Sequence, residues 1–127
     1  MQFKIEKGKE FENVLIEEGV YYATYICLKE ISDGKFGKRF AMEFEVLEPK
    51  SREIVNLSMI GYGGHNLLSE NSKIGKAFII MGVKLGEEFD SDQIPIFKRK
   101  VKVLVETFVD DNGKEKSIIT KVKPLTE

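Results

Sequence analysis

Residues 54–83 read IVNLSMIGYGGHNLLSENSKIGKAFIIMGV, and the hydrophobic period changes inside them. At the start, Val55, Leu57 and Met59 alternate with Asn56, Ser58 and Ile60, which is the period of two of a strand with one buried face. Further on, Ile74, Ala77, Phe78 and Met81 recur at intervals of three and four, and Ser69, Glu70, Asn71 and Ser72 offer caps just before them. A short amphipathic helix is expected over residues 73–83, despite Gly75 and the β-branched Ile79-Ile80 pair. No other part of the chain changes period in this way, so this helix divides the strands into two groups.

Upstream, residues 38–48 (KRFAMEFEVLE) place Phe40, Met42, Phe44 and Val46 at every second position, and residues 20–31 (VYYATYICLKEI) are dense in β-branched and aromatic types. Both read as strands, and the glycine-bearing connection of residues 32–37 makes them an antiparallel hairpin. Pro49 and the polar Lys50-Ser51-Arg52 separate them from the strand at 54–60, completing a meander. Downstream, residues 86–97 (GEEFDSDQIPIF) read as a loop. Residues 98–109 (KRKVKVLVETFV) then alternate about Val101, Val103 and Val105, and Asp110-Asp111-Asn112-Gly113 is a strong turn before a last strand at 114–123.

Three meandering strands, a helix and a two-stranded hairpin match a mainly β architecture, the five-stranded oligonucleotide/oligosaccharide-binding (OB) fold, a Greek-key barrel closed by its own strands with one short helix between strands 3 and 4. With 127 residues, one such domain fills the chain: a charged leader over 1–18 and the barrel over 19–124. The texture of the sequence is similar to that of small single-stranded-DNA-binding and replication-associated proteins of phages, plasmids and archaea. The resemblance rests on Gly19-x-Tyr21-x-Ala23, on Gly34-Lys35-Phe36-Gly37-Lys38 followed by Phe44-x-Val46-x-Glu48, and on a closing Lys-x-Lys-Val-x-Val from Lys98 with Val122-x-Pro124. It covers residues 15–124 and implies binding of single-stranded DNA or RNA in replication, recombination or repair, with a second copy or a replication protein as further partners.

Composition excludes several classes. No apolar run is long enough to span a bilayer and no signal peptide is visible at the amino terminus, so a cytoplasmic protein without membrane contact is expected. Cys27 is the sole cysteine and His65 the sole histidine, which rules out a disulfide framework and a zinc set. Cys27, mid-strand among apolar neighbours, is expected in the core. Gly61-Tyr62-Gly63-Gly64 lacks the Gly-Lys-Ser/Thr ending of a phosphate loop and reads as a turn after strand 3, with Tyr62 able to stack. No nucleophile can be paired with a base, so neither enzymatic activity nor a cofactor or metal is expected.

The net charge of −1 gives no global pull toward nucleic acid, but the charge is unevenly placed. Lys98, Arg99, Lys100, Lys102, Lys114, Lys116, Lys121 and Lys123 outnumber the acids of the last third, whereas residues 6–18 are acidic. Barrels of this type bind single strands on strands 2 and 3 between two flanking loops, using aromatic platforms and cations. The residues in place for that role are Lys35, Phe36, Lys38 and Arg39 in the first hairpin, Tyr62 after strand 3, and Lys100, Lys102, Phe108, Lys114 and Lys116 around the last hairpin. Four alternatives stand beside it: the lysines only solvate strand faces, Phe36 and Phe108 fold back to plug the barrel, the fold serves as a protein-interaction module, or it binds an oligosaccharide, which the basic loops disfavour. Glu43 and Glu45 count against a phosphate on strand 2.

Overall fold

The computed structural model describes residues 2, 14–34, 37–63 and 68–125. Five strands form one antiparallel sheet: β1 (Gly19–Gly34), β2 (Gly37–Glu48), β3 (Glu53–Gly63), β4 (Lys100–Val109) and β5 (Glu115–Lys123). The helix α1 (Lys73–Ile80) joins β3 to β4, and a 3-10 turn (Ile96–Lys98) leads into β4. The expected order of elements and the mainly β architecture with one short helix are therefore present. Within it, Lys98 belongs to the 3-10 turn rather than to the strand.

The strands are hydrogen-bonded in the order β3-β2-β1-β4-β5. Here the structure corrects the expectation of a closed barrel. The outer strands β3 and β5 approach each other, but no ladder joins them, and α1 packs against both. The helix thus lies against the two strands whose pairing would have closed the sheet.

The period-two residues meet on the inner face. Met42, Phe44 and Val46 of β2, Leu57 and Met59 of β3, Val101, Val103 and Val105 of β4 and Ile119 of β5 are buried, and α1 adds Ile74, Ala77, Phe78 and Met81. The Tyr25 ring stands edge-on to Phe44 and Phe78, with centroids 5.9 and 5.6 Å away, and its hydroxyl donates to the Ser91 carbonyl at 2.9 Å. Burial pushes that hydroxyl well above the ordinary phenol range.

A β-bulge decides which way the middle of β1 faces. Tyr25 pairs with Phe44, but Cys27 pairs with Glu43, so Ile26 is the extra residue. Beyond it, Cys27 shares the outer face with Glu43 and is only half-buried, which corrects its expected place in the core. The carbonyl of Ile26 is taken by the Arg99 guanidinium at 3.3 Å. The same guanidinium donates to the carbonyls of Ile94 (2.6 Å) and Asp92 (2.8 Å) and lies 5.8 Å from the Tyr25 ring centroid. One side chain therefore ties the 90–97 loop to the bulge.

Residues 14–18 are attached to the far end of the sheet. Ser117 is the one buried polar side chain among the described residues. Its hydroxyl accepts from the Ile16 N–H at 2.8 Å and donates to the Ile16 carbonyl at 3.1 Å, while its own N–H donates to the Val14 carbonyl. Its hydroxyl and N–H are both satisfied, which makes the burial tolerable. The Glu18 carboxylate accepts from the Thr107 N–H at 3.0 Å where β4 runs on past the start of β1.

The helix begins where the caps promise, since the Ser72 hydroxyl accepts from the Gly75 N–H at 2.9 Å. Gly75 also explains itself. A Cβ there would run into the Ser69 carbonyl and meet the Ser72 hydroxyl at 2.9 Å, so glycine is required by space. Gly75→Ala is accordingly expected to destabilise the protein by about 1–3 kcal/mol through overpacking, although alanine is the better helix former by about 1 kcal/mol. Urea unfolding decides the sign, and a raised midpoint would refute the steric argument.

Candidate functional site

The outer face of the sheet is built of cross-strand rungs. One rung runs Asn56–Glu45–Thr24–Lys100 across β3, β2, β1 and β4. On the β2–β3 side, successive rungs pair Ser58 with Glu43, Ile60 with Ala41 and Tyr62 with Arg39. On the β4–β5 side, Tyr22 stands opposite Lys102 and Lys102 opposite Lys123, followed by Val20–Leu104–Lys121 and then Phe108 opposite Lys116.

Tyr62 is 64% exposed and lies on β3 itself. The expected turn at Gly61-Tyr62-Gly63 is thereby corrected: these residues pair with Phe40, Arg39 and Lys38 of β2. The glycines answer a need for room. A Cβ on Gly61 would meet the Ile74 side chain of α1 at 2.7 Å, and one on Gly63 would meet Leu68 at 2.6 Å. Arg39 is exposed beside Tyr62, whereas Lys38 is half-buried and 3.6 Å from the Glu30 carboxylate, which offsets part of its charge. Lys35, Phe36, Gly64 and His65 lie outside the described residues.

At the other end, Phe108 is 46% exposed, so its ring does not plug the sheet's interior. The Lys116 ammonium stands over it, 5.7 Å from the centroid. Lys114 is exposed in the β4–β5 turn, where its N–H donates to the Asp110 carboxylate at 2.9 Å and Gly113 takes the left-handed conformation (φ 78°) that the turn needs. Lys100 is exposed and Lys102 half-buried, both turned away from Val101 and Val103 as the alternation requires.

The residues expected from the sequence thus divide between the two ends of β1. Lys38, Arg39 and Tyr62 flank the β1–β2 hairpin, and Phe108, Lys114 and Lys116 lie beyond the start of β1, with Lys100 and Lys102 between them. The β2 stretch between the groups carries the exposed Glu45 and the half-buried Glu43, whose carboxylate accepts from the Ser58 hydroxyl at 2.6 Å.

Two exposed aromatics are additions to the sequence reading. Tyr22, 66% exposed, has the Lys102 ammonium 5.9 Å from its ring centroid. Phe97, 76% exposed on the 3-10 turn, has Lys98 at the same distance. Phe97, Lys98 and Lys100 share a shallow hollow of about 230 Å³ with Pro124 and Leu125. The alternation of β1 about Ala23 and Tyr25 was signal enough to turn Tyr22 outward. Phe97 gave none, because its exposure is set by how the 90–97 loop is tied down.

A larger hollow, about 520 Å³, opens between α1 and residues 83–89, with Ile79, Leu85 and Phe89 beside Glu70, Glu87 and Glu88. Among the described residues, no group of three or more His, Cys, Asp or Glu is placed to hold a metal ion, and no helix is long and apolar enough to cross a membrane. Compared with protein-family models and with characterised proteins, the chain matches none.

Proposed function

We propose that this is a single-stranded-nucleic-acid-binding protein of the OB type, a binding protein and not an enzyme, acting on single-stranded DNA in the cytoplasm during replication, recombination or repair. The strand order, the helix between β3 and β4 and the approach of β3 to β5 support the OB assignment. One observation carries the function: Tyr22, Phe97 and Phe108 are exposed aromatic rings, each with a lysine ammonium within 6 Å of its centroid. A base stacks on a ring of this kind and its phosphate meets the adjacent cation, a combination indifferent to sequence because every base has a π face. Backbone phosphate and base face are common to DNA and RNA, so both chemistries fit.

A second reading is favoured by the hollow beside α1, where apolar side chains are rimmed by glutamates that repel a nucleic acid. That surface suits a protein-interaction module. Fluorescence anisotropy with labelled oligo-dT at low salt separates the two. Saturable binding, competed by unlabelled single strands and poorly by duplex, is expected of the first. No binding at low salt would transfer the assignment to the interaction module.

A further inference from the structure

We infer that the single strand lies along β4, over the outward side chains of β1, β4 and β5, rather than across β2 and β3. This rests on the single-strand binding proposed above. The first argument is the distribution of charge over the outer face. The β2–β3 half presents Glu43 and Glu45 in its middle, with Arg39 at one end. A phosphate crossing that half would be held off by two carboxylates on adjacent rungs. Along β4 the outward positions and their cross-strand neighbours carry Lys100, Lys102, Lys116, Lys121 and Lys123, against Glu106, which accepts from the Thr120 hydroxyl at 2.9 Å.

The second argument is the line of rings. Phe97 and Lys100 share one hollow at the α1 end of β4, Tyr22 stands one rung along from Lys100, and Phe108 closes the line beside Lys116. From Lys100 to Phe108 is eight residues of strand, about 26 Å at 3.3 Å per residue. That length suits a short single-strand site of the kind one such domain occupies, at the lower end of about 4–16 nucleotides.

The test uses anisotropy with labelled oligo-dT, repeated with oligo-U to separate DNA from RNA, and a thermal melt of each variant. Tyr22→Ala and Phe97→Ala are expected to weaken binding about 5- to 150-fold, as loss of one stacking platform does. Tyr62→Ala and Glu45→Gln should leave it within about twofold. Lys123→Glu, which reverses a charge beside the proposed path, should weaken binding several-fold. A path over β2 and β3 would instead make Tyr62→Ala as damaging as Phe97→Ala and let Glu45→Gln strengthen binding several-fold. Either result overturns the inference, as does unchanged affinity in Lys123→Glu. A parent protein that fails to bind at low salt removes single-strand binding itself and the β4 path with it, whereas a parent that binds through Tyr62 removes the path alone.

Discussion

Phe108→Ala is expected to weaken binding of a single-stranded oligonucleotide about 5- to 150-fold, the 1–3 kcal/mol that one stacked base contributes. Nearly half of the Phe108 surface is open to solvent, so its removal leaves the core around Val101, Val103 and Val105 undisturbed. The melting temperature should therefore shift little, which separates a platform from a plug. The Lys116 ammonium loses its ring at the same time but keeps its charge for a phosphate. A variant that binds like the parent would remove Phe108 from the interface, and one that unfolds would place the ring in the core after all.

Arg99→Ala should show the reverse pattern. The guanidinium donates to three carbonyls, of Ile26, Ile94 and Asp92, and so holds the 90–97 loop to the β1 bulge. Charged hydrogen bonds contribute about 1.5–3 kcal/mol each and do not add, so a loss of roughly 2–4 kcal/mol is expected by urea unfolding. Lysine at this position should recover only part, since an ammonium cannot present a planar fork to three acceptors. Although Arg99 belongs to the basic run that begins at Lys98, its donors are spent within the protein. The salt dependence of binding by the folded variant should match the parent. A loss below about 0.5 kcal/mol would show that the loop and the bulge are held by something else.

The contrast between these two residues shows how far the sequence could be read. Period two reports which side of a strand is buried, and it placed Met42, Phe44, Val46 and the β4 valines inward and Lys100, Lys102 and Phe108 outward, as the structure has them. The three-and-four spacing of Ile74, Ala77, Phe78 and Met81 likewise located α1, although the helix ends at Ile80, just before the turn at Gly82 (φ 96°). A bulge leaves no such mark. Ile26 looks like any other strand residue, and its carbonyl is satisfied by an arginine 73 positions later, so the turning outward of Cys27 could not be read locally. Gly61 and Gly63 misled for a related reason. Glycine suggests a turn, but here it makes room for Ile74 and Leu68 against a strand that is fully paired. Phe97 was hidden in a segment without period, where only the tertiary structure decides which side faces water.

Single-strand binding is tested most directly by its dependence on salt. Oligo-dT affinity is measured by anisotropy over a series of salt concentrations, and the logarithm of the binding constant is plotted against that of the salt. Three or four phosphates neutralised by lysines along β4 release their counterions at about 0.7 per contact, so a slope of roughly −2 to −3 is expected. A flat plot, or no binding at the lowest salt, would contradict the role assigned to these lysines and aromatic rings.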